Sequence, residues 1–156
     1  MALEAFAEIE IPRAPEEVFD LAASCAGFPC FLLRLGPIPA VVRAELVDAA
    51  EPKAGGRRRI ELGDGSMMEE EILAYDRPAR HRYRWTKPPA PPFSWLVRSA
   101  EGDWTFTPTP GGTRVAWRYR FESPSRVAEL LARPVAALFG RWMRQGLANL
   151  RAILVA

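Results

Sequence analysis

The chain has 156 residues, 49% apolar and 26% charged, the balance of one soluble globular domain long enough to bury a real core. A net charge of +2 gives no bulk electrostatic case for a nucleic-acid partner. No window reaches the ~20 consecutive apolar residues of a membrane-spanning helix. Two cysteines, Cys25 and Cys30, are too few for a disulfide framework and read as two buried thiols.

Met1 to Phe6 carries an acid and no basic run ahead of an apolar stretch, so no secretory leader is expected and the cytoplasm is the default location. Leu3 to Ile11 alternates, Ala5, Ala7, Ile9 and Ile11 against Glu8 and Glu10, as a half-buried strand does. Pro12 ends it, and Ala14-Pro15-Glu16-Glu17 opens a helix with apolar positions Val18, Phe19, Leu21 and Ala22. Gly27-Phe28-Pro29 is expected to break that helix, with a second short helical turn over Cys30 to Leu35 and a turn at Gly36 to Pro39.

Val41 to Ala49 alternates with Val42, Ala44 and Leu46 inward. Arg57 to Leu62 and Ser66 to Tyr75 are strands about the tight turn Gly63-Asp64-Gly65. Arg80 to Thr86 puts His81, Tyr83 and Trp85 on one face and arginines on the other. Lys87 to Phe93 holds four prolines in seven residues, which no ladder strand tolerates. Trp95 to Val97 is apolar and ambiguous. Trp104 to Thr107 resumes a strand, Pro108 to Gly112 turns, and Thr113 to Glu122 directs Val115, Trp117, Tyr119 and Phe121 to one side.

From Ser123 the chain reads as one long amphipathic helix, capped by Ser123 or Ser125 and with a kink or fresh start expected at Pro134. Its apolar positions include Val127, Leu130, Leu131, Val135, Leu138, Phe139, Trp142, Leu147 and Leu150. Residues 1–156 are thus expected to form a single domain of the α+β class. A meander of about six to seven antiparallel strands, two short helices after the first, is covered on one face by the long C-terminal helix.

Three phrases in that order, IEIPRAPEEVFDLAAS (Ile9 to Ser24), MEEEILAYDRPARHRYRW (Met68 to Trp85) and FTPTPGGTRVAWRYRFE (Phe106 to Glu122), carry a resemblance. The chain resembles the helix-grip domains of the START-like or SRPBCC superfamily, nearest the bacterial polyketide cyclase/dehydrase and lipid-transport group. The resemblance implies a curved antiparallel sheet gripping the long helix about an elongated hydrophobic cavity. It implies no single activity, since a fold alone does not choose one.

The inward positions are rich in rings. Met68, Ile72, Trp85, Trp104, Phe106, Trp117, Tyr119 and Phe121 on the strands, with Leu138, Phe139 and Trp142 on the helix, are the expected ligand wall. Phe93 and Trp95 close the proline-rich segment, which reads either as a lid over the cavity or as a rigid connector. Glu70 shares the phase of Met68 and Ile72, and an inward carboxylate in an apolar cavity would have a raised pKa. Glu70, His81 and Tyr83 are the candidate acid–base set of a cyclase or dehydratase. A neutral core histidine is the alternative reading of His81. With one histidine, a His/Cys metal cluster is not available, and no phosphate loop or dinucleotide fingerprint points to a cofactor. Arg57-Arg58-Arg59 reads as a solvated run.

Three functions follow: a binder of a hydrophobic or aromatic small molecule (lipid, polyketide or quinone-like), a polyketide cyclase/dehydratase-type enzyme, and a protein-interaction domain that docks a partner on an exposed sheet edge or on the Phe93-to-Leu96 loop. The expected partner is an apolar ligand, with no nucleic acid, no membrane span, and a monomeric or homodimeric state.

Overall fold

A computed structural model describes residues 2–156. Seven strands form one antiparallel sheet: β1 (Ala2–Ile11), β2 (Val41–Val47), β3 (Arg57–Leu62), β4 (Met67–Asp76), β5 (Arg80–Lys87), β6 (Ser99–Thr109) and β7 (Gly112–Glu122). Their order across the sheet is β1-β7-β6-β5-β4-β3-β2. The six later strands run as a meander, and β1 returns to pair with β7 along its whole length, from Ala2 opposite Glu122 to Ile11 opposite Thr113. Bulges between Val41 and Arg43, Glu69 and Glu70, and Ile72 and Ala74 bend the β2–β5 half. Arginines on the outer face meet acids of neighbouring strands, as in Arg80–Asp103 at 2.9 Å and Arg84–Glu71.

Helices α1 (Pro15–Ala22) and α2 (Phe28–Phe31) connect β1 to β2, α3 (Phe93–Leu96) connects β5 to β6, and α4 (Arg126–Leu154) lies against the inner face. The side chain of Ser125 caps α4 by accepting from the Ala128 amide at 3.1 Å. Among the described residues, no helix is long and apolar enough to cross a membrane.

Several elements depart from the sequence reading. Helix α2 falls on Phe28–Phe31 itself, because Pro29 suits a first helical turn and Phe28 and Phe31 both have a core to enter. That leaves Cys30 exposed and Cys25 half-buried, both as free thiols, where the sequence predicts two buried ones. The bulge at the start of β2 turns Val41 inward and Val42 out, against the expectation for Val42, while Ala44 beyond it packs against the core as expected. Helix α4 is one element from Arg126 to Leu154 with Pro134 inside it, so no fresh helix starts there. Pro134 is exposed, so water can take the Leu130 carbonyl that it leaves unpaired. Val127, Leu130 and Leu131 are exposed rather than buried. The start of α4 instead meets the core through Ala128 and Ala132.

Strand β6 begins at Ser99, five residues before the stretch with evident strand character, and the reason is Gly102. A Cβ at this position would lie 2.3 Å from Tyr83 Cζ, so only glycine lets the tyrosine ring lie across its neighbour strand. In the sheet Gly102 is a seat for a ring.

Candidate functional site

The sheet and α4 do not close on each other everywhere. Between them lies a cavity of about 190 Å³. One water needs only ~10–15 Å³ by this measure, and an apolar cavity of ~150 Å³ suffices for benzene. The strands contribute Val41, Ile60, Leu62, Met68, Glu70, Tyr83, Trp85, Trp104, Trp117 and Tyr119 to its wall, and α4 contributes Phe139 and Trp142. Phe28 and Leu32 close one side, while Pro37–Pro39 and Pro89–Phe93 border it on others. Asp64, Pro37, Ala90, Pro91 and Pro92 are wall residues exposed to solvent, which marks the mouth.

The wall is apolar apart from a few polar groups. Arg58 on β3 and Glu70 on β4 are cross-strand partners, and both turn inward. Arg58 donates to Glu70 Oε1 from Nε at 3.0 Å and from Nη2 at 2.7 Å. Its Nη1 lies 3.1 Å from His81 Nε2. A guanidinium only donates, so that imidazole nitrogen accepts and the ring hydrogen sits on Nδ1. Nδ1 is buried with no partner among the described residues. Burial first, and then the Arg58 charge, hold His81 well below its ordinary range, so it is neutral.

Burial pushes the Glu70 carboxyl up, against the pull of the Arg58 charge and its hydrogen bonds. Burial also disfavours the Arg58 charge, but the Glu70 carboxylate outweighs it and keeps the guanidinium protonated. The two stand as a buried ion pair, with the guanidinium 4.7 Å from the Phe28 ring centroid and 5.2 Å from that of Tyr83. Both Arg58 bonds fall on Oε1. Among the described residues nothing donates to Oε2, and Glu70 lies on the cavity wall.

Beside it, Tyr83 accepts from Trp104 Nε1 at 3.3 Å and from Trp117 Nε1 at 3.2 Å. Those two indoles occupy both lone pairs of the hydroxyl, whose remaining hydrogen-bond neighbour is the Tyr119 hydroxyl. Burial pushes the Tyr83 and Tyr119 phenols far up, so both keep their protons. Trp142 donates to the Leu33 carbonyl at 2.9 Å, which ties α4 to the segment after α2.

Of the residues expected on the wall, Met68, Glu70, Tyr83, Trp85, Phe93, Trp104, Trp117, Tyr119, Phe139 and Trp142 do line the cavity. The others do not. His81 is fully buried behind the wall, edge-on to Tyr75 and Phe19 and 5.1 Å from the Tyr83 ring; it reaches Glu70 only through Arg58 and does not line the cavity. Ile72 is buried towards Gly56, and Phe106 packs between Phe19 and Trp104. Phe121 packs on Tyr119 and Phe139. Leu138 is half-exposed, and Trp95 is 69% exposed on α3.

Arg58 is the residue that sequence reasoning misses. Within Arg57-Arg58-Arg59 it reads as solvated, yet strict alternation in β3 turns the middle arginine of three inward, opposite an inward Glu70. The two strands read together carry that signal. Among the described residues no group of three or more His, Cys, Asp and Glu side chains could hold a metal ion.

A seven-stranded antiparallel sheet folded about a long C-terminal helix, with a hollow between them, defines the helix-grip fold. The chain belongs to the polyketide cyclase/dehydrase and lipid transport family, whose profile matches residues 3–155. Solved structures agree. It is similar to TTHA0849 from Thermus thermophilus, at 26% identity over 96% of this chain and 95% of that one, with a TM-score of 0.71. It shares the fold of MLL2253 from Mesorhizobium loti, at 17% identity, 97% and 96% coverage and a TM-score of 0.70. The fold is also that of Ara h 8.0201, at 15% identity, 96% and 99% coverage and a TM-score of 0.65. No curated protein matches the sequence.

Proposed function

We propose that the protein holds an apolar, ring-bearing small molecule in the cavity between the sheet and α4. The observation that carries this reading is the cavity itself, about 190 Å³ of space walled by aromatic and aliphatic side chains and open at one end. Empty apolar volume costs stability unless something fills it, at roughly 24 cal/mol per Å³. Pro89 to Phe93 border the mouth and act as its lid. Membership of a family described by polyketide chemistry and lipid transport supports the same class of ligand.

The test is native mass spectrometry of freshly purified protein, joined to a thermal titration with naphthalene. A probe at about 100 times its dissociation constant adds ~2.7 kcal/mol to the native state. A rise in Tm that Leu62→Trp abolishes by filling the void is the expected result. No co-purifying molecule and no shift would end the proposal.

A second reading, proton transfer during polyketide cyclisation, draws on one observation: Glu70 sits at the cavity wall with its carboxyl pushed up by burial. Glu70 and Tyr83 would be its acid–base pair, with His81 holding Arg58 from behind. Turnover of a polyketide substrate that Glu70→Gln removes while naphthalene still binds would establish it; unchanged turnover would dismiss it.

A further inference from the structure

The polar groups left unsatisfied on the wall specify more than an apolar ligand. Glu70 is 3% exposed and lies on the cavity wall, and both bonds from Arg58 go to one of its oxygens. Oε2 is therefore an acceptor on a buried side chain, with no donor among the described residues. That oxygen keeps accessible surface, so a bound molecule can donate to it, whereas the wall atom that is buried without a partner among the described residues is the donor Trp85 Nε1. Tyr83 offers the complement. Its lone pairs are taken by Trp104 and Trp117, so a ligand can only accept from it, in competition with the neighbouring Tyr119 hydroxyl. Glu70 and Tyr83 come from adjacent strands and are near neighbours in register, since Ile72 is opposite Tyr83 and Glu70 is opposite Trp85.

Among the described residues, the only other carboxylate on the wall is Asp64 at the mouth, and the wall itself includes no lysine or arginine. Arg58, close behind Glu70, already serves Glu70 and His81. A carboxylate or phosphate entering this cavity would meet like charge without a free cation to offset it.

We propose that the ligand carries a hydroxyl, phenolic or alcoholic, that donates to Glu70 Oε2 and accepts from Tyr83, and that the cavity rejects anionic analogues of the same skeleton. A hydroxyl is the small group that can do both at once. A bare hydrocarbon does neither, and a carboxylate can only accept. This inference rests on the apolar-binder reading above and narrows it to one ligand class.

The experiment is tryptophan-fluorescence titration of the full chain at neutral pH with three probes of one skeleton: naphthalene, β-naphthol and β-naphthoate. A hydrogen bond to a buried charged group is worth about tenfold or more in affinity. β-Naphthol should bind at least tenfold more tightly than naphthalene, and β-naphthoate more weakly than both. In Glu70→Gln the advantage of β-naphthol over naphthalene should shrink to within about threefold, with naphthalene itself unaffected. If that variant does not fold, the ranking of the three probes on the unaltered protein still decides. β-Naphthoate binding best, or β-naphthol binding no better than naphthalene, overturns this proposal and leaves the apolar-binder reading standing. Failure of all three to bind overturns both.

Discussion

The two ends of the inner aromatic wall are written in the same alternation but have different fates. At one end Phe19 of α1 reaches under the sheet and fills it, with ring centroids 5.1 Å from Phe106 and 5.0 Å from Tyr75. Trp104 lies stacked 6.0 Å from Phe106 and 4.2 Å from Trp117, so this pair of indoles joins the filled end to the cavity wall. At the other end Trp85, Phe93, Tyr119 and Phe139 stand 4.8 to 5.8 Å from their ring neighbours yet border the void. A ring on a sheet becomes core or cavity wall according to what another element brings opposite it. Helix α1 supplies a phenylalanine at the closed end; at the open end, prolines border the mouth and fill nothing.

That contrast breaks most sharply under truncation. Phe19→Ala should cost ~3–5 kcal/mol in urea unfolding, the usual penalty for emptying a close-packed ring site. Phe93→Ala should cost clearly less, because Phe93 is already half-exposed at the rim of a void. Equal losses would mean that the two ends are packed alike.

Arg58→Met should be comparably severe, about 3–5 kcal/mol, since it strands the Glu70 carboxyl in the interior. Adding Glu70→Leu to it should recover most of that loss. An additive double variant would show that the pair is not coupled. Gly102→Ala comes next, at ~1–3 kcal/mol, because the Tyr83 ring must move off its seat. It should also change the fluorescence of Trp104 and Trp117 as their shared acceptor shifts, and unaltered spectra would contradict the placement.

The smallest effect is one of pH. His81 in the native state sits well below the ordinary imidazole value of 6.5, so below that pH the unfolded chain binds a proton that the native chain refuses. Stability contributed by neutral His81 is present above pH 6.5 and is lost as pH falls towards the depressed native value, by at most ~1.4 kcal/mol per pH unit. The raised Glu70 carboxyl acts with the opposite sign, gaining stability as pH falls, so the readout is a difference. Between pH 6.5 and 5, unaltered protein should lose Tm relative to His81→Phe. Parallel profiles would mean that His81 protonates freely.

Most of the fold is legible in the sequence because period and punctuation agree: alternation in β5 and β7, Gly63-Asp64-Gly65 between β3 and β4, and the long apolar recurrence of α4. What stays hidden depends on contacts between distant segments. The start of β6 at Ser99 is hidden until Tyr83 is laid over Gly102. Val42 looks inward until a bulge shifts the register. Arg58 looks solvated until β3 is set beside β4 and Glu70 appears opposite. The wall is half legible for the same reason. Phase says which rings face in, but whether Phe106 and His81 meet a ligand depends on Phe19, which arrives from another element.

The most direct test of a hollow interior is a crystal of the protein held under xenon pressure. Xenon enters dry apolar cavities and is kept out of close-packed interiors. Xenon density is predicted between Trp85, Phe139 and Trp142, and none between Phe19, Tyr75 and Phe106. An interior that excludes xenon throughout, with Trp85 and Phe139 packed solid, would contradict the presence of a ligand cavity.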